Sequence, residues 1–121
     1  MNTFEQIKKI LIDLLDIDGA EITPETYLIR DLGAESIDLL ELAVAINASC
    51  GVKVNDNDIF LKPLRLYLTK AREGGCDPAV YLAERFPFLT HARIREILAD
   101  IAQGPVLKVK DLTGYVAWKT C

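Results

Sequence analysis

The stretch Asp31-Leu32-Gly33-Ala34-Glu35-Ser36-Ile37-Asp38-Leu39-Leu40-Glu41-Leu42 constrains the chain most, because a turn signal, a cap signal and a helical pattern meet in it. Gly33 permits the left-handed or tightly turned backbone needed where a loop closes onto a helix. Ser36 stands at or next to an N-cap, and Asp38 and Glu41 fall in the first two turns, where the positive end of a helix dipole favours acids. The spacing predicts a helix from Ser36 to about Cys50, ended by Gly51. Its inner stripe is expected to be Ile37, Leu40, Leu42, Val44 and Ile46, with Glu35, Asp38 and Glu41 along one outer edge. Ser36 has two readings at this point. It is a residue type that caps helices, and it is also a hydroxyl placed where outward-pointing N–H groups favour an attached phosphate.

The remaining elements follow from caps and periodicity. Thr3-Phe4-Glu5-Gln6 reads as a capping box opening a first helix, with Phe4, Ile7, Ile10 or Leu11, Leu14 and Leu15 inward and Lys8, Lys9 and Asp13 outward. Gly19 suits the left-handed position that ends it. A long loop over 20–30 follows, with Ile22, Tyr27 and Leu28 expected to tuck onto the helices. Val52-Lys53-Val54 is an extended piece, and Asn55 to Asp58 offers a cap for a short third helix. Leu64, Leu66, Tyr67, Leu68 and Ala71 predict a helix stopped at Gly74-Gly75. Asp77-Pro78 opens another over Ala79 to Phe86, and Thr90 caps one striped by Ile94, Ile97, Leu98 and Ile101. The fold class is all-α.

Composition sets the bounds. The chain has 121 residues, 50% hydrophobic and 26% charged, which suits one folded domain over 1–121 and excludes a disordered chain. No apolar run approaches about 18 residues, so no membrane span is expected, and Asp13 and Asp16 interrupt any signal-peptide core. Cys50, Cys76 and Cys121 are odd in number and irregular in spacing, which fits a reduced, cytoplasmic protein. Cys50 is read as a small core residue and Cys121 as a free terminal thiol. His91 is the single histidine and falls in the first turn of a helix. With no metal-ligand cluster and no nucleophile–base pair, neither a metal nor an enzyme is expected, and Asp111 and Tyr115 read as a cap and a core aromatic.

Charge is unevenly divided. Residues 1–61 carry −8, residues 62–110 carry +4, and the whole carries −4. An acidic surface around Ser36 would draw basic partner patches and govern encounter rate more than affinity. The basic stretch reads as a solvated helical face, with the sharper alternative that Arg85, Arg93 and Arg95 choose a dedicated partner or touch an anionic lipid surface. The acidic balance and the lack of a binding motif argue against nucleic acid.

Asp31-Leu32-Gly33-Ala34-Glu35-Ser36-Ile37 resembles the Asp-Leu-Gly-x-Asp-Ser-Leu signature of acyl carrier proteins, whose serine carries a 4′-phosphopantetheine arm. Glu35 and Ile37 are the conservative departures. Leu107 to Val116 resembles the family's closing helix, which makes residues 62–104 a helical insertion. The resemblance implies a four-helix bundle with extra helices between the third and last. It implies that Ser36 receives the arm from coenzyme A through a phosphopantetheinyl transferase, and that acyl groups ride on the arm as thioesters. Asp31, Glu35, Ile37, Asp38 and Glu41 are then expected to meet the transferase and the acyl-loading and acyl-transferring enzymes. Leu40, Val44, Ile59 and Leu61 are expected to line a pocket for the acyl chain. The expected protein is a monomeric carrier in fatty acid or lipid synthesis, specialised because Asn47-Ala48-Ser49 is neutral where bulk carriers are acidic. A polyketide or amino-acyl carrier and an unmodified helical adaptor are the alternatives.

Overall fold

The computed structural model describes residues 2–120, the side chain of Ala20 apart, and shows seven α-helices among them. They are α1 (Thr3–Leu15), α2 (Ser36–Cys50), α3 (Asp56–Ile59), α4 (Leu64–Glu73), α5 (Pro78–Arg85), α6 (His91–Asp100) and α7 (Val109–Thr120). Short 3-10 turns lie at Gly19–Glu21 and Ile101–Gln103. Helix α1 packs on α2 and α7, and α3 touches α7, while α4 packs on α5 and α5 on α6. This is the expected four-helix arrangement with three helices set between its third and last members. The reading of Cys121 falls outside the described residues.

Local chemistry explains most boundaries. Asn2, not Thr3, caps α1, its side-chain oxygen accepting from Glu5 N–H at 2.8 Å. Helix α1 buries Ile7, Ile10 and Leu11 and ends at Asp16, which takes the left-handed conformation at φ 53. The left-handed role expected of Gly19 therefore falls to an aspartate, one of the few side chains that tolerate it. Gly19 serves space instead, because a Cβ there would strike the Ile12 side chain. Asn55 caps α3, Asp77 with Pro78 opens α5, and Thr90 caps α6, as expected. His91 begins α6 and is exposed.

The 20–30 loop is strapped down rather than free. Leu28 N–H donates to Leu107 O at 3.1 Å, Val109 N–H to Thr26 O at 2.9 Å and Lys110 N–H to Pro24 O at 3.0 Å, so the loop pairs with the chain entering α7. Ile22 and Leu28 are buried and Tyr27 is half-buried. Outside the strap, Glu25 accepts from Lys108 at 2.9 Å and from Lys110 at 3.0 Å, and Lys110 reaches Glu96 at 2.8 Å.

One apolar core serves both parts of the chain. Leu64, Leu82, Phe86, Ile94 and Ile97 belong to the same buried cluster as Ile7, Leu11, Leu42, Ile46 and Leu112. Burial of that area, at about 25 cal/mol per Å², joins the inserted helices to the bundle. An aromatic seam runs across the join: Tyr67 to Phe86 at 5.5 Å, Phe86 to Phe88 at 6.1 Å, and Phe88 to Tyr115 at 5.1 Å between centroids. Phe88 also lies 6.1 Å from Trp118. Tyr115 is fully buried, and its hydroxyl accepts from Asn55 N–H at 3.0 Å, tying α7 to the cap of α3. Cys50, the last residue of α2, is half-buried against the core, which pushes its thiol pKa up.

Two surface expectations are overturned here. Arg93 is not on the basic face with Arg85 and Arg95. It is 5% exposed, with Nε and Nη2 donating to the two Asp111 oxygens at 2.7 and 2.8 Å and Nη2 also to Val106 O at 2.7 Å. Asp111, itself buried, accepts from Lys108 N–H at 2.9 Å and so opens α7. The second correction concerns α2. Leu42, Ala43 and Ile46 are its buried positions, whereas Ile37, Leu40 and Val44 are 55%, 53% and 66% exposed. Both sets repeat at three- and four-residue spacing, so helical period alone assigns neither to the core.

Candidate functional site

The approach to Ser36 is a staircase of backbone bonds. Asp31 and Leu32 donate to Tyr27 O at 3.1 and 3.2 Å, Gly33 to Ile29 O at 3.1 Å, and Ala34 to Leu28 O at 3.0 Å. The Asp31 carboxylate turns back and accepts from Tyr27 N–H at 2.9 Å. Gly33 lies at φ +67 with nothing within 4 Å of where a Cβ would be, so its requirement is conformational rather than spatial. Ala34 is buried and anchors the end of the loop.

Glu35 is the N-cap of α2, in extended conformation, and its N–H donates to the Asp38 carboxylate at 2.8 Å. Ser36 is therefore the first helical residue and not the cap. It is exposed, and its hydroxyl makes no hydrogen bond among the described residues. The first N–H groups of a helix have no partner in the turn before them, and α2 is long enough, at 15 residues, to carry a full dipole. An exposed hydroxyl at that end fits a phosphate ester, because the ester's negative charge meets free donors and a favourable dipole.

The other predicted residues separate into groups. Glu35, Ile37 and Glu41 are exposed around Ser36. Asp31 is exposed but engaged with Tyr27, and Asp38 is half-buried and engaged with Glu35. Leu40 and Val44 line a shallow hollow of about 130 Å³ with Ala43, Asn47, Val54 and Asp56. Ile59 is fully buried in the core. Leu61, held at φ 54, lines a different cleft of about 140 Å³, walled by Ile29, Phe60, Leu64, Ile101 and Val106. The four residues read as one acyl pocket thus occupy three places.

Sequence reasoning missed one constellation on the loop that leads to the serine. Asp100, the last residue of α6, accepts from Tyr27 Oη at 2.6 Å and from Arg30 Nη1 at 2.9 Å. Arg30 Nη2 donates to Asp100 O at 3.2 Å and to Gly104 O at 3.1 Å, and its guanidinium lies 4.3 Å from the Tyr27 ring centre. These hydrogen bonds hold the Asp100 carboxyl below the usual range, the Tyr27 hydroxyl contributing most and Arg30 next, and raise Tyr27. The only available signal was a tyrosine and an arginine in a long pinned loop.

Comparison with known proteins agrees with this arrangement. The phosphopantetheine attachment site family matches residues 5–63. The acyl carrier protein of Solidesulfovibrio magneticus is 41% identical over 58 residues, covering 48% of this chain and 74% of that protein. The acyl carrier protein of Helicobacter pylori is 39% identical over 56 residues, 46% of this chain and 72% of that protein. No solved structure matches the chain. No helix among the described residues is long and apolar enough to cross a membrane. Residues 64–73, 78–85 and 91–100 form helices beyond the matched segment. The match and the bundle agree: the chain belongs to the acyl carrier protein family, as a carrier with a covalent 4′-phosphopantetheine rather than an enzyme.

Proposed function

We propose that Ser36 bears the phosphopantetheine arm and that the protein is a specialised carrier of acyl thioesters in lipid synthesis. The exposed Ser36 hydroxyl, without a hydrogen bond among the described residues and at the first position of α2 inside the matched segment, carries this reading. A transferase joins the serine oxygen to the phosphate beside the pantetheine of coenzyme A. The pyrophosphate bond breaks, and the nucleotide half and the hydroxyl proton leave. The arm supplies the thiol that holds the acyl group. The chain's own residues contribute the donors and dipole at the phosphate, the exposed acids Glu35 and Glu41, and the apolar row Ile37, Leu40 and Val44 that partners meet. The hollow beside Leu40 and Val44 is close to benzene-sized, so a longer acyl chain enters only if α2 and α3 part toward Ile59. The extra helices and the neutral Asn47-Ala48-Ser49 end of α2 support a dedicated pathway, such as hydroxyacyl supply to an envelope lipid, in a cytoplasmic monomer.

Intact mass after incubation with coenzyme A and a broad-specificity transferase tests the attachment. The parent gains one phosphopantetheine and Ser36→Ala gains none. A parent that stays unmodified beside a modified control carrier removes Ser36 from the role.

A further inference from the structure

We propose that Tyr27, Arg30 and Asp100 form a latch through which the inserted helices position the serine loop for modification. The inference rests on Ser36 as the attachment point. Its basis is connectivity. All four amide donors of residues 31–34 end on carbonyls of residues 27–29, so the loop that presents Ser36 stands on Tyr27, Leu28 and Ile29. The side chains at 27 and 30 are in turn gripped by one residue, Asp100, at the end of α6. Gly104 O takes a further Arg30 donor, so both sides of the turn that closes the insertion hold the same guanidinium. Lys108, on the strap into α7, lies 4.9 Å from the Tyr27 ring centre and completes the surround.

The latch is built for local order more than for global stability. Arg30 and Asp100 side chains are each 21% exposed, and a pair that partly meets water adds little to the folding equilibrium. Arg30 Nε is buried and finds no hydrogen-bond partner among the described residues, a cost accepted while the rest of the guanidinium is held in place. What the contacts do fix is the base of a short turn ending two residues before Ser36. A carrier loop held in one geometry binds its transferase without first having to be ordered, and this lowers the concentration of carrier needed. Asp100, Tyr27 and Arg30 are positioning residues, acting on Ser36 through the loop.

Two readings of the same variants test this: amide exchange of Gly33 and Ala34 against that of Leu42 and Ile46, and transferase kinetics with coenzyme A. In Asp100→Ala, exchange at Gly33 and Ala34 rises about tenfold while Leu42 and Ile46 stay unchanged. Its KM as a transferase substrate rises about tenfold with kcat nearly constant. Tyr27→Phe, which removes only the hydroxyl, moves both quantities the same way by less. Loop amides that exchange as in the parent, or a freed loop with unchanged KM, overturn the latch. If Asp100→Ala loosens the core amides too, Tyr27→Phe decides by the same two criteria. A parent that accepts no arm overturns the Ser36 reading, whereas a modified parent with unaffected variants overturns the latch alone.

Discussion

Arg93 shows how much one side chain can hide from its sequence. Thr90, Arg93, Ile94 and Ile97 share one face of α6, so helical spacing already put the guanidinium on the inner side; its charge suggested the outer one. Its partner Asp111 lies on another helix, and no local pattern joins them. Because the pair is buried, removing one member leaves the other as an uncompensated charge, at a cost of about 3–5 kcal/mol. Arg93→Met is therefore expected to lower unfolding free energy by about that amount in urea titrations, with Asp111 stranded. Arg95→Gln, on the exposed side, is expected to change it by less than about 0.5 kcal/mol. The Gly33 turn and the start of α2 at Ser36, by contrast, were legible because their signals are contiguous, all set within a few residues.

At the scale of elements, whatever depends on neighbours in sequence could be read. Gly51, Gly74-Gly75, Asn55, Asp77-Pro78 and Thr90 mark ends where they were expected, since each acts on backbone groups within about one turn. The facing of α2 could not be read in the same way. It is apolar on two rows, and only packing against α1 decides that Leu42 and Ile46 go inside. The outer row is then free for partners. Replacing Ile37, Leu40 and Val44 together by Ser is expected to cost about 2–3 kcal/mol, less than truncating three core residues, since each side chain is already half or more in water. Turnover with acyl-transferring partners should fall at least about tenfold. A large drop in melting temperature with unchanged turnover would place the row in the core after all.

For the whole molecule, the shared buried cluster predicts that the inserted helices and the bundle unfold as one unit. Urea unfolding followed by Tyr and far-ultraviolet signals is expected to give coincident single transitions. Deleting residues 62–104 should yield a chain that lacks a cooperative transition, because Ile7, Leu11 and Leu112 lose Leu82, Phe86 and Ile97 from their cluster. Acid reaches the same unit through its ladder of charges. The Lys108 and Lys110 hydrogen bonds hold the Glu25 carboxyl at about 2 instead of 4.5, and Lys110 lowers Glu96 in the same direction. A depressed folded value contributes stability that is complete above the unfolded value and lost as protons bind. The melting temperature is thus expected to fall as pH drops from about 4.5 toward 2, and Glu25→Gln should flatten that slope. This ladder links residues far apart in sequence, so it could not be read from the sequence.

The aromatic seam has an optical consequence. Trp118 is the chain's single tryptophan, 42% exposed and tilted against both Phe88 and Tyr115, so its indole borders the inserted segment, the last helix and water at once. Any event that opens the seam changes the polarity around that ring and its distance from the Tyr115 donor. Intrinsic emission on excitation of tyrosine therefore reports docking between the two halves of the core without an attached dye.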